Sequence, residues 1–439
     1  MTLSPQFLDE LRARTTLSTL IGKTMKLQRA GREWKAPCPL HKEKSASFFV
    51  NDEKEFYHCF GCGAHGDAIR WLTDHRGIPF MEAVSELAAA AGMEMPARDP
   101  QSQARAERAA TLYEVTGRAA AAFVGFLGYQ GTPARLYLEH RSIDAHVVNT
   151  FSLGFAPDSR TAIRSALGDM GDEKLIEAGM LIRTDDGEPY DRFRNRIMFP
   201  IHDSRGRVIA FGGRILGKGE PKYLNSPDTP LFDKGRSLYN IHRAAPAARK
   251  SGRLIVVEGY MDVIALFRAG VEEAVAPNGT ALTEAQMEIA WRLSDLPILC
   301  FDGDQAGRGA AARAAIRALP LLEPGRSLGF AFPPPGMDPD DVLREHGPAG
   351  VIGMFAFPLA LTEMLWKHEL QAKQVVTPED RAGLLHRLRG HARTIRNAEV
   401  RDAYADWMKS RYQHHFEPRR PPPARPMLPY PANKFHARP

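Results

Sequence analysis

Three short apolar runs between Arg253 and Asp341 each lead to carboxylates, and this pattern constrains the fold more than any other stretch of the chain. Leu254–Val257 stops at Glu258-Gly259, Pro297–Phe301 stops at Asp302-Gly303-Asp304, and Leu328–Phe332 is followed by a Pro-rich loop that delivers Asp338-Pro339-Asp340-Asp341. Continuous apolar runs of this length fit strands buried on both faces. Between them, Tyr260–Ala269 carries Met261, Ile264 and Ala265 at helical spacing and stops at Gly270. Val271–Ala276 reads as another strand, Asn278-Gly279 as a turn, and Thr283 as the cap of a helix running to about Leu293. Gly307 and Gly309 are expected to let the chain turn closely into an alanine-rich helix.

Strands alternating with helices predict a parallel sheet, and such sheets bind ligands at the carboxyl ends of their strands. Glu258, Asp302, Asp304, Asp338 and Asp340 are therefore expected to converge on one crevice. Five carboxylates together repel one another unless cations lie among them, and hard oxygen ligands suit Mg²⁺ or Mn²⁺ held with a substrate's phosphates. Taken singly, Asp-Gly-Asp and Asp-Pro-Asp are turn sequences. An EF-hand is excluded, because Ala306 and Arg313 stand where its loop needs an oxygen ligand and a glutamate. In combination, strand-Glu-Gly, strand-Asp-x-Asp and a third acidic pair resemble the Toprim domain. VVEGYMDVIAL, CFDGDQAGR and DPDD resemble the corresponding motifs of DnaG-type bacterial primases. That resemblance implies catalytic roles for Glu258, Asp302 and Asp304, and divalent-metal ligation by these three with Asp338 and Asp340. Among these, Asp302, Asp304 and Asp340 are the first choice for holding metal, Glu258 is left as either a metal ligand or a proton acceptor, and Asp262 and Asp338 are second-tier candidates.

A second pattern lies near the start. Cys38-Pro39-Leu40-His41 and Cys59-Phe60-Gly61-Cys62 are two knuckles separated by seventeen residues, the spacing of a closed, structural Cys₃His zinc site. The intervening residues predict a hairpin, Ser47–Val50 and Glu55–His58 turning at Asn51-Asp52. His58 neighbours a ligand along a strand and so points to the opposite face, and His65 lacks the spacing. Trp34, Phe48, Phe49, Phe56, Tyr57 and Phe60, interleaved with Lys35, Lys42, Lys44 and Lys54, predict a surface for single-stranded nucleic acid, about half of these rings being core. The stretch from Cys38 to Leu72 also resembles the primase zinc-binding domain. Gly22-Lys23-Thr24 is not a P-loop, since Leu17 occupies the position of the required glycine.

The net charge of +6 is concentrated. Between Arg192 and Arg243 stand eleven Lys and Arg against four Asp and Glu, which favours phosphate binding. Asp191–Phe199 alternates charge with apolar residues in part and predicts one buried face and a row of guanidiniums on the other. The region resembles the N-terminal catalytic subdomain of primases. The resemblance implies that Arg192, Arg194, Arg196, Arg214, Lys222, Lys234 and Arg236 hold the template-primer backbone and the incoming triphosphate. Four cysteines, three in a metal pattern, with no apolar run of eighteen and no signal-peptide pattern, predict a cytoplasmic protein without membrane contact.

The expected fold class is α+β multidomain. Residues 1–97 form a zinc-ribbon domain, 98–109 a polar linker that leaves that domain mobile, and 110–240 a basic subdomain with a short strand at Phe151–Ala156. Residues 241–345 form the Toprim subdomain, 346–416 a helical subdomain (with helices over Ala349–Lys373 and Thr377–Phe416), and 417–439 a disordered Pro-rich tail. The resemblance implies a DNA primase, a monomer working at the bacterial nucleoid. It would make RNA primers de novo on single-stranded DNA from nucleoside triphosphates, with one structural Zn²⁺ and about two catalytic Mg²⁺ or Mn²⁺. Primases of this type usually continue into a domain that meets the replicative hexameric helicase; this sequence stops where that domain would start, so weak helicase contact is expected. The alternatives are a Toprim nuclease or topoisomerase, which the missing clamp-sized tyrosine domain disfavours, and a noncatalytic DNA-binding mediator, which the full acid set disfavours. A primase-helicase is excluded for this polypeptide by the missing P-loop.

Overall fold

The computed structural model describes residues 5–41, 46–76, 78–95, 100–128, 132–183, 187–279 and 281–416. It comprises two compact units, Met1–Arg108 and Ala109–Pro439. Lys42, Lys44 and the 417–439 tail lie outside the described residues. No helix of the described residues is long and apolar enough to cross a membrane.

The first unit is built on a five-stranded antiparallel sheet whose strands pair in chain order, Gln28–Ala30, Glu33–Ala36, Phe48–Asn51, Phe56–Cys59 and His65–Gly66. Strand periodicity sends Phe48, Val50, Tyr57 and Cys59 inward and leaves Phe49 and His58 partly exposed. The rings of Phe48, Tyr57 and Trp71 meet with centroids 5.3 to 5.7 Å apart and form the centre of this core. Gly31 makes the first hairpin turn at φ +68°, a left-handed conformation that only glycine adopts freely.

Residues 98–109, expected as a linker, are helical from Pro100 onward, because helix Pro100–Gly128 begins there. Gln, Ala, Arg and Glu dominate this stretch and are all strong helix formers, so its polarity marks a helix without a core-facing stripe rather than a coil. The strand expected over Phe151–Ala156 is only Gly154–Ala156; Phe151 closes helix Ala145–Phe151, and Ser152 ends it in the left-handed region.

The basic region forms a four-stranded antiparallel sheet ordered Tyr223–Asn225, Val208–Ile215, Arg196–His202, Gly154–Ala156. Here the expected row of guanidiniums is corrected. Arg192 and Arg194 precede the strand, and Arg196–Ile201 is buried without alternation. The reason is that both faces are covered: Met198 packs with Phe123 of the long helix, while Ile197 and Phe199 pack with Tyr260 of the next subdomain. Tyr260 stacks on Phe199 with centroids 5.1 Å apart and lies so close to Gly212 that a Cβ there would stand 2.4 Å from the ring.

The next subdomain holds a six-stranded sheet ordered Leu238–Tyr239, Ala274–Pro277, Ile255–Val256, Ile298–Cys300, Gly329–Ala331, Leu359–Ala360. The four central strands are parallel and the two edges antiparallel. Every central strand is fully buried, as the continuous apolar runs require. Thr283 caps helix Glu284–Trp291 through a reciprocal bond with Gln286, as read from sequence. The helix expected from Ala349 is interrupted, because Leu359–Ala360 pairs as an edge strand.

Helices Leu361–Ala372, Pro378–Thr394 and Ala398–Phe416 complete the chain. Buried Glu369 accepts from Arg387 Nε at 2.5 Å and meets His391 Nε2 at 2.6 Å. The His391 hydrogen bond, with Arg387 working alongside it against burial, holds the Glu369 carboxyl down at about 2 against an ordinary 4.5. The folded pKa is depressed, so this group stabilises fully above about 4.5 and loses its contribution as pH falls towards about 2. Glu369→Gln is expected to cost about 3 kcal/mol at pH 7 and less than half of that at pH 3. Urea unfolding at the two pH values checks it; an equal cost at both would show that the carboxylate charge is not what stabilises.

Candidate functional site

In the first unit, the donor atoms of Cys38, His41, Cys59 and Cys62 all lie within 4.8 Å of one another. Cys38 Sγ is 3.9 Å from Cys62 Sγ, and Cys59 Sγ is 3.8 Å from His41 Nδ1. A tetrahedron of bonds near 2.3 Å has edges of about 3.8 Å, so the donors stand where one zinc ion would hold them. The amides of Gly61 and Cys62 donate to Cys59 Sγ, and that of Leu40 donates to Cys38 Sγ. Burial pushes the Cys38 thiol up to about 12, whereas at Cys59 the Ser47 hydroxyl and these amides overcome burial and bring it to about 7. Gly61 is needed for this fit, since a Cβ would stand 2.7 Å from the His41 ring. His58 and His65 stay outside the cluster. Of the six aromatic rings, Phe48 and Tyr57 belong to the core, while Phe56 and Phe60 are exposed and Phe49 and Trp34 half-buried.

In the second unit, a cleft of about 290 Å³ opens at the carboxyl ends of the parallel strands. Glu258, Asp302, Asp338 and Asp340 line it, with Asp262 at its base. Glu258 Oε1 accepts from the Asp302 amide at 2.9 Å, which fixes two strand ends to each other. Burial, then the charges of Glu258, Asp338 and Asp304, push Asp302 up to about 7, with Lys222 acting in the other direction. Asp262 accepts from the Gly259 amide; burial and the neighbouring Asp302 and Asp338 raise its pKa well above the usual range. Asp338 caps helix Pro339–Gly353, its Oδ1 accepting from the Asp341 amide at 2.7 Å.

Asp304 is placed differently. It is exposed, caps helix Gln305–Ala318 through the Gly307 amide at 2.7 Å, and does not line the cleft. The turn depends on glycine at 303 and 307, where a Cβ would stand 2.2 Å from Pro334 O and 2.3 Å from Asp302 O. Gly309, expected to serve this turn, would meet only a flexible Arg313 tip. Asp340 faces the cleft but is ion-paired, its Oδ2 accepting from Arg141 Nη1 at 2.6 Å. The same cleft is lined by Arg141, Arg214 and Lys222 with Tyr137, Tyr223 and Asn225.

Three family descriptions match in chain order: a CHC2 zinc finger over residues 3–103, the N-terminal domain of the DNA primase catalytic core over 126–245, and a Toprim domain over 252–328. The DNA primase of Pasteurella multocida strain Pm70 is 44% identical over 366 residues, covering 82% of this chain and 63% of that protein. That of Escherichia coli strain K12 is 43% identical over 383 residues, covering 86% and 66%. A DnaG primase catalytic domain solved bound to ssDNA aligns at TM-score 0.63 and 38% identity, covering 70% of this chain and 99% of that one. The zinc-binding and RNA polymerase domains of the Aquifex aeolicus primase align at TM-score 0.60 and 31% identity, covering 94% and 98%. The chain belongs to the DnaG-type DNA primase family. It spans 63–66% of the length of the two curated primases.

Within this primase fold the seven basic residues singled out from sequence separate into groups. Arg214 and Lys222 line the acidic cleft, and the Arg214 guanidinium lies 4.5 Å from the centre of the Tyr137 ring. Arg192 is half-buried behind them and donates to Asn225 O at 3.3 Å. Arg194 lies over Tyr190 at 4.9 Å. Arg196 is 5% exposed and donates to Gly213 O and Pro221 O at 3.0 Å, so it ties strands together and does not face a ligand. Lys234 and Arg236 sit on a short turn, Lys234–Arg236, outside the cleft, with Arg236 3.8 Å from Asp233. Sequence reasoning missed Tyr137, Arg141, Tyr223 and Asn225. No local motif marks them, because they reach the primase acids only through tertiary folding, Arg141 across 199 positions.

Proposed function

We propose that this chain carries the template-directed RNA polymerase activity of a bacterial primase, making short primers de novo on single-stranded DNA from nucleoside triphosphates in the cytoplasm. The observation that carries the reading is one cleft lined both by the carboxylates Glu258, Asp302, Asp338 and Asp340 and by the cations Arg141, Arg214 and Lys222. A nucleotide triphosphate needs both: cations for its phosphates, and acids for the metal ions that travel with them.

Glu258, Asp302, Asp304 and Asp338 are the groups that would hold divalent cations, Mg²⁺ or Mn²⁺; their crowding, which raises Asp302, favours such a partner. When bound, these ions lower the cost of 3′-oxygen attack and neutralise the leaving pyrophosphate. Arg214 and Lys222 receive phosphate oxygens, and the Tyr137 ring, 4.5 Å from the Arg214 guanidinium, helps to hold that guanidinium in place. In the first unit, zinc holds the two knuckles, and the exposed rings of Phe56 and Phe60 offer stacking faces to template bases.

Incubation with single-stranded DNA, Mg²⁺ or Mn²⁺ and labelled ribonucleotides tests the reading. Short RNA supports it, whereas nicked DNA favours a cleaving Toprim enzyme. Lys222→Ala is expected to weaken template or nucleotide binding in a salt-dependent way, lowering the salt slope of strand binding by roughly one if the lost contact is to one phosphate of the strand. A salt titration of fluorescence anisotropy checks this, and an unchanged slope would place Lys222 off the strand.

A further inference from the structure

Asp340 is the acid in the cleft whose charge is already answered. Arg141 Nη1 donates to its Oδ2 at 2.6 Å, Arg268 Nη1 lies 3.6 Å from its Oδ1, and its side chain is 7% exposed. Among the described residues, no Lys or Arg forms an ion pair with Glu258, Asp302 or Asp338. Arg268 also donates to the backbone oxygen of Arg141 at 3.3 Å, so it holds both the acid and the segment that bears Arg141. Arg141 itself follows helix Pro133–His140, lies 5.6 Å from the centre of the Tyr137 ring, and lines the cleft with Arg214 and Lys222.

We infer that Asp340, which the sequence motif groups with the metal ligands, is instead the positioning residue for Arg141, and that Arg141 joins Arg214 and Lys222 in receiving the triphosphate of the incoming nucleotide. To ligate a metal through Oδ2, Asp340 would have to give up a charge-assisted hydrogen bond in a desolvated site, and a cation on Oδ1 would stand beside the Arg268 guanidinium 3.6 Å away, so either oxygen makes ligation costly. A guanidinium has five N–H donors, and holding Asp340 leaves others for phosphate oxygens. This inference rests on the polymerase reading for its substrate, but its metal half does not.

The test measures Mn²⁺ binding by electron paramagnetic resonance and steady-state kinetics on Arg141→Ala, Arg141→Lys, Asp340→Asn and the Arg141→Ala/Asp340→Asn double variant. Asp340→Asn and Arg141→Ala are each expected to raise KM for nucleoside triphosphate by about tenfold or more, with Mn²⁺ affinity within about threefold of the parent. The double variant should be no worse than the worse single one, and Arg141→Lys should recover part of the loss. Loss of Mn²⁺ affinity by about tenfold or more in Asp340→Asn but not in Arg141→Ala would make Asp340 a ligand and overturn the inference. So would single effects that multiply in the double variant, which would show that the two residues act independently. Should the parent protein make no RNA, the polymerase reading fails, and the Mn²⁺ measurement alone still decides whether Asp340 ligates. Thermal melts of all four variants, with Arg141→Lys as the best-tolerated, separate these outcomes from unfolding.

Discussion

Asp304→Asn is expected to reduce primer synthesis by about a thousandfold, close to 4 kcal/mol of transition-state stabilisation, while binding to single-stranded DNA stays within about twofold. Asparagine caps a helix as well as aspartate does, so the Gly307 amide keeps its acceptor and the tight Asp302-Gly303 turn persists. Only the charge is lost. The groups proposed to receive phosphates, Arg214 and Lys222, are separate side chains of the cleft lining and are untouched. Because Asp304 does not line the cleft, this variant is a sharper test of the acid set than Asp302→Asn. Ribonucleotide incorporation and fluorescence anisotropy on the same preparation decide it, and synthesis at the parent rate would move the catalytic centre to Glu258, Asp302 and Asp338.

The second large effect is loss of metal from the first unit. The parent protein, purified without chelator, is expected to contain close to one zinc per chain, and Cys62→Ser close to none. Cys62 is exposed and, unlike Cys38 and Cys59, is not part of the apolar core of the first unit, so serine there removes a ligand at little cost to that core. A structural zinc contributes on the order of 10 kcal/mol to a small domain, so the first unit is expected to unfold in this variant. The second unit has its own apolar clusters and is expected to keep its melting transition. Elemental analysis and calorimetry read the two effects separately; unchanged zinc in Cys62→Ser would remove this residue from the site.

What sequence made legible was whatever depends on neighbours along the chain. The two knuckles place their sulfurs by local turns, and the strand-end acids are fixed by where apolar runs stop, so both sites could be located from spacing. What depends on a distant partner was not legible. Arg196 carries the same charge as Arg214, yet one ties strands and the other faces the cleft, because the sheet is covered on both faces by elements far away in sequence. Asp340 likewise matches the acidic motif, and only the arrival of Arg141 and Arg268 separates it from Asp338. Residues 100–109 show a third case: low apolar content removes a core-facing stripe without removing helix propensity, so the stretch where the two units divide is helical.

The central claim is de novo RNA synthesis at the mixed acidic and basic cleft, and the most direct measurement follows the γ-phosphate label. A chain started without a primer keeps the triphosphate of its first nucleotide, so the γ label must appear in the product as well as in released pyrophosphate. With single-stranded DNA and Mg²⁺ or Mn²⁺, the expected result is a short, alkali-labile, template-dependent product that retains γ label and disappears in Asp304→Asn. Label found only in released phosphate or pyrophosphate, or cleavage of the DNA with no labelled chain, would contradict the account.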